Sequence, residues 1–150
     1  MIEFIHISLG FLSLVSGLIV LLTKKGNLQH RVIGRVYVVS MLGLNLTALG
    51  IYKLYGGWGF FHWMAIASLI PLLAGYLSIR YRKIEAHYFF MCWSFIGLLC
   101  ATISEIFVHV PVAVQLLNSV AHIDTVLMLF LIGCGFIFLP KYRHKYVGSA

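Results

Sequence analysis

Apolar residues run along the chain in five long blocks, with polar residues confined to the joints between them. The blocks cover about 3–23, 32–54, 60–79, 86–108 and 117–139. Each is close to the roughly 20 residues that an α-helix needs to cross a bilayer. A segment in lipid must satisfy its own backbone polar groups, and a helix does so within one segment. The pattern therefore predicts an all-α integral membrane protein of five transmembrane helices, one domain over residues 1–150. Its joints have turn chemistry. Gly26-Asn27 closes the first block, "GGWG" (56–59) the second and "RYRK" (80–83) the third, and Pro111 follows the fourth.

Composition agrees with the pattern. The chain is 61% hydrophobic and 10% charged, with mean hydropathy +0.98, whereas soluble domains carry about 25% charged residues. Too few polar side chains exist to cover a water-facing surface, so the partner is the lipid bilayer. The net charge of +7 does not point to nucleic acid, because the basic residues form no single folded face. They fall in three clusters. Lys24, Lys25, Arg31 and Arg35 lie between blocks one and two. Arg80, Arg82 and Lys83 lie between three and four, and Lys141, Arg143 and Lys145 follow block five. With five crossings all three clusters share one side, and Lys53 alone lies on the other. By the positive-inside rule the N-terminus is outside and the C-terminus cytoplasmic. The N-terminus lacks the basic region and small-residue cleavage site of a signal peptide. Cys92, Cys100 and Cys134 lie inside apolar blocks and read as buried free thiols.

Histidines recur with the helices. His6 opens block one and His30 opens block two; His62 opens block three and His87 block four. A basic cluster follows the first histidine of each pair. This reads as two repeated hairpins in a four-helix bundle, with His6 and His62 in an outer layer and His30 and His87 in an inner one. Glu105 and His109 are four residues apart and share a helix face, and His122 and Asp124 lie in the outer part of block five. Ionisable groups at membrane depth are costly and mark functional sites. The plainer reading of each histidine is a hydrogen-bonded headgroup-level residue.

The stretch "HISLGFLSLVSGLIVLLTKKGNLQHRVIGRVYVVSM", with His6, Lys25-Gly26, His30 and Gly34-Arg35, and then "AHYFFM" with the later Glu105, resembles a family of small bacterial membrane proteins known as domain-of-unknown-function family 2306. The likeness covers about residues 6–105 and implies a multi-pass protein of the bacterial inner membrane. In pattern the chain also resembles transmembrane cytochromes of the b561 type. Their alternate helices share a haem near each membrane face. That likeness implies haem b on His6 with His62 and on His30 with His87, and electron transfer from a quinol or other small redox donor. Lys24, Lys25, Arg31 and Arg35 would attract an anionic donor or haem propionates. The alternative expectation is a zinc or copper site of His6, His62, Glu105 and His122 at the outer face, even a metal-dependent hydrolase. A cofactor-free scaffold is the third.

Overall fold

The structure is a computed structural model that describes residues 1–52, 56–119 and 122–147, and their side chains apart from 117–119 and 144–147. Among the described residues there are six α-helices and no strand: α1 (Ile2–Leu22), α2 (Leu28–Leu49), α3 (Phe60–Arg80), α4 (Ile84–His109), α5 (Pro111–Ser119) and α6 (Ile123–Val147). All but α5 are long and apolar enough to cross a membrane. Lys53, the lone basic residue expected on the far side, lies outside the described residues.

Several boundaries differ from the hydropathy pattern, among them the end of α2 at Leu49 rather than 54 and of α6 at Val147 rather than 139; two starts differ for a local reason. α2 starts at Leu28 rather than 32 because Asn27 caps it: its side-chain oxygen accepts the His30 backbone N–H at 2.7 Å. Gly26, at φ 79, supplies the left-handed turn just before the cap. Arg31 and Arg35 are therefore on the helix, not in the loop. Further on, Pro111 opens α5, as proline does at a first helical position, where its missing N–H costs nothing. The apolar residues of α5 run into the next block, so the pattern merges the two. The fifth crossing begins at Ile123 instead of 117.

α1 packs with α2 and α3 with α4, as two hairpins. α2 lies against α3 and α1 touches α4, which closes a four-helix bundle; α6 packs on the outside of α4. The bundle mixes small polar side chains with apolar ones inside and is apolar outside. α1 buries Ser13, Ser16 and Gly17 and exposes Phe4, Ile7, Phe11 and Leu22. Lipid exerts no hydrophobic pressure between helices, so close packing and polar ties must join them, each tie contributing about 0.6 kcal/mol. The Ser13 hydroxyl meets Ser40 at 2.9 Å, and Ser40 donates on to the Tyr37 carbonyl. The Tyr37 hydroxyl meets Ser94 at 2.9 Å, joining α2 to α4. Tyr88 donates to the Leu139 carbonyl at 3.3 Å, holding α6.

One half of the bundle is filled. At Gly17 a Cβ would stand 2.5 Å from the Phe95 ring, and at Gly75 it would stand 2.7 Å from Met91 Sδ and 3.2 Å from the Met91 backbone N. Tyr37, Met41, Leu72 and Leu98 are fully or almost fully buried beside them. This is the half nearer the basic clusters, here called the basic end. The end bearing His6, His62 and Glu105 is the carboxylate end, and its neighbouring half is hollow.

Candidate functional site

A cavity of about 760 Å³ occupies the hollow half, walled by α1 to α4 and closed on one side by Ile132 and Phe136 of α6. Its size lies within the 300–1,000 Å³ common for small-molecule sites. The wall is mostly apolar and aromatic, including Phe11, Phe61, Met64 and Trp93. One histidine and one carboxylate line it, His6 from α1 and Glu105 from α4, close enough for their charges to interact, together with the Cys100 thiol.

Hydrogen bonding fixes the state of His6. Its Nδ1 lies 3.0 Å from the Thr47 hydroxyl. Thr47 gives its own hydrogen to the Gly43 and Leu44 carbonyls, at 3.0 and 2.9 Å. A hydroxyl has one hydrogen to give, so Thr47 accepts from His6 and Nδ1 carries the ring proton. In the neutral ring the lone pair is then on Nε2. Glu105 is half-exposed and takes the His109 Nδ1–H on its carboxylate at 3.0 Å; the Glu105 carbonyl shares that proton at 3.2 Å. Glu105 thus lines the cavity with His6 and is paired with His109 at the protein surface.

His62 is placed differently. It is 1% exposed and its ring lies between Tyr52 and Trp58, with centroids 4.9 Å from each. Its Nδ1 accepts the Gly59 backbone N–H at 3.1 Å and caps α3. The proton must therefore be on Nε2, which is buried without a partner. The structure does not place His62 on the cavity wall with His6. His122 is exposed at the start of α6, in a left-handed backbone at φ 64. Among the described residues no group of three or more His, Cys, Asp and Glu side chains converges to hold a metal ion. The set of His6, His62, Glu105 and His122 is thus not gathered in one place.

A family model described as "Predicted membrane protein (DUF2306)" matches residues 3–139. The chain belongs to that family. No curated protein and no solved structure matches it.

The basic end of this family member holds the second histidine pair. The Gly75 carbonyl can only accept, so the 2.8 Å contact at His87 Nδ1 is an N–H donation. That leaves Nε2 of His87 with its lone pair. His30 is near enough for the two charges to interact, and its own Nδ1 is buried without a partner. Both rings thus have a nitrogen suited to an axial ligand. The outer pair fits haem less well as placed, because His62 carries its proton on the nitrogen that iron would need. Space is distributed the opposite way: the cavity is beside His6, and the glycine-packed layer is beside His87.

Lys25 does not point at a surface ligand. Its ammonium donates to the Val20 and Leu21 carbonyls at 3.0 and 2.6 Å, closing the C-terminus of α1, where a cation also meets the negative end of the helix dipole. Burial holds it below the ordinary lysine value of 10.5, against the opposing pull of Cys92. Lys24, Arg31 and Arg35 are exposed. Of the three thiols, all free, Cys100 is buried and Cys92 and Cys134 are half-buried.

Sequence reading singled out His6 and Glu105 but not their surroundings. Thr47, Asn45 and Ser68 carry no motif, and they matter through contacts between helices. Pro71, inside α3, was a usable signal. It has no N–H for the Ala67 carbonyl one turn back, and both residues line the cavity.

Proposed function

We propose that this membrane protein binds a small, membrane-partitioned molecule, a quinol or a similar donor, in the cavity of the carboxylate end. One observation carries the reading: a five-helix cavity of about 760 Å³ with His6 and Glu105 in its wall. An apolar tail would lie along Phe11, Phe61 and Met64, and a polar head would meet His6 and Glu105. His6 Nε2 would take a proton from the head, and the Glu105 carboxylate of the same cavity would steady the resulting imidazolium. His109 would continue the path toward the surface.

The test uses the full chain in lipid nanodiscs. Decylubiquinol and decylubiquinone would be titrated while tryptophan fluorescence is followed, since Trp93 lines the cavity. Saturable quenching is expected with at least one of them. Ala48→Phe fills the cavity from α2 and should abolish it. Quenching that does not saturate, or that Ala48→Phe leaves unchanged, rejects the reading.

A second reading keeps His30 and His87 as axial ligands of haem b in an electron-transfer protein. The Nδ1–H donation of His87 to Gly75 favours it, because a ligating histidine ordinarily donates its other ring N–H. Haem would supply the redox chemistry, and the two rings would hold and orient it. A Soret band in protein expressed with haem, lost in both His30→Ala and His87→Ala, is the expected result. A colourless protein rejects this reading and leaves the first untouched.

A further inference from the structure

The strongest hydrogen-bonding groups of the cavity wall are acceptors; its unspent donors are the second Asn45 amide N–H, the weak Cys100 thiol and the Trp93 indole. The Asn45 amide donates to the Met41 carbonyl at 2.8 Å, and its oxygen accepts the Ser68 hydroxyl. Thr102 gives its hydrogen to the Leu98 carbonyl at 2.8 Å. His6 has committed its Nδ1–H to Thr47. The acceptors that remain open to a ligand at the α1–α4 side are the Nε2 lone pair of His6 and the Glu105 carboxylate. The Ala67 carbonyl, deprived of its i+4 donor by Pro71, adds a third acceptor. The Trp93 indole belongs to the other side, where its ring packs on Phe136 with centroids 4.8 Å apart.

We infer that the cavity selects molecules whose polar head brings an O–H donor, a phenol or hydroquinone rather than the corresponding ketone or ether. The inference rests on the binding reading above and names its ligand class. A head without a donor would desolvate His6 Nε2 and leave it unpaired, and an unpaired buried acceptor is the costly outcome. A head with an O–H pairs with Nε2 directly. Discrimination of this kind, set by buried polar groups of one type, is much sharper than discrimination by size in an apolar pocket. On the same grounds a hydroquinone would be held more tightly than its quinone, and binding would favour the reduced member of such a couple.

Nonylphenol and its methyl ether provide the test, since they differ in the O–H and one methyl group. Each is titrated into full-length protein in nanodiscs, with tryptophan quenching as the readout and Ala48→Phe as the blocked control. The phenol should bind at least about tenfold more tightly than the ether, the scale of one well-made hydrogen bond. His6→Phe keeps a flat ring but has no lone pair to offer, and should reduce that gap to about twofold or less. Glu105→Gln provides a second route, because it replaces an acceptor-only carboxylate with an amide that also donates. It should narrow the gap as well. Equal affinity for phenol and ether, both abolished by Ala48→Phe, overturns the donor selection and leaves the cavity reading standing. Failure of both probes to bind in an Ala48→Phe-sensitive way overturns the two together. A gap that neither His6→Phe nor Glu105→Gln changes, in variants that keep wild-type helix content, assigns the selectivity elsewhere and also overturns the inference.

Discussion

Thr47 holds His6 in a single tautomer. The threonine hydroxyl gives its hydrogen to the Gly43 and Leu44 carbonyls of its own helix and accepts the His6 Nδ1–H from α1 at 3.0 Å. Replacement by valine keeps the shape and removes the acceptor. Nitrogen-15 NMR of the His6 ring should show one neutral tautomer, protonated at Nδ1, in the wild type and a mixture in Thr47→Val. Loss of this hydrogen bond, with the Leu44 carbonyl still near the ring, should also lower stability by about 1 kcal/mol or less. Identical ring spectra in the two proteins would show that the tautomer is set by something other than Thr47.

Glycine packing at the basic end sets the second expectation. At Gly75 the nearest atoms to an added Cβ include the Met91 backbone nitrogen at 3.2 Å, which a side-chain movement cannot relieve. At Gly17 the obstacle is the Phe95 ring, which is itself packed beside Tyr37. Gly17→Ala and Gly75→Ala should each cost about 1–3 kcal/mol by overpacking, read as a lower thermal midpoint in detergent. Gly97→Ala, where an added Cβ meets nothing within 4 Å, is the control and should change little.

Lys25 gives a pH dependence with a definite sign. Burial lowers its folded-state value below the ordinary 10.5. Just under that pH the unfolded chain therefore binds more protons than the folded one, and stability rises with pH across the window. Lys25→Met should flatten this rise. The check is the difference between wild-type and variant unfolding midpoints as the pH approaches 10.5. A difference independent of pH would contradict the burial argument.

Much of the fold was legible because lipid imposes so strict a rule. Five apolar blocks of helix length had few alternatives, and the hairpin pairing of α1 with α2 and α3 with α4 followed from short joints at Gly26-Asn27 and "RYRK". The cap at Asn27 was readable in principle but was overridden by the hydropathy edge at residue 32. α5 escaped because its apolar residues are continuous with the next block. Of the candidate site, His6 and Glu105 were visible as ionisable groups in apolar sequence. Their meeting in one cavity was not, since it depends on how α1 and α4 face each other across the bundle. The tautomers were beyond reach of the sequence too. His6 and His62 both open helices, yet one donates from Nδ1 to Thr47 and the other accepts at Nδ1 from Gly59. Only the three-dimensional neighbours separate them.

Glu105 and His109 allow stability and function to be told apart. They are one helical turn apart, with the His109 Nδ1–H shared between the Glu105 carboxylate at 3.0 Å and the Glu105 carbonyl at 3.2 Å. Their side chains are 42% and 60% exposed respectively, and pairs so open to solvent contribute about 0–1 kcal/mol. If the pair were only a surface tie, losing either partner would do the same small damage. Glu105, however, also lines the cavity opposite His6, and His109 does not. His109→Ala should therefore leave the thermal midpoint and the affinity for nonylphenol nearly unchanged. Glu105→Gln should leave the midpoint nearly unchanged as well, but should weaken nonylphenol binding by several-fold as the cavity's carboxylate is lost. The two measurements are made on the same preparations. Parallel effects of the two variants on both would reduce Glu105 to a structural partner of His109 and remove it from the cavity's chemistry.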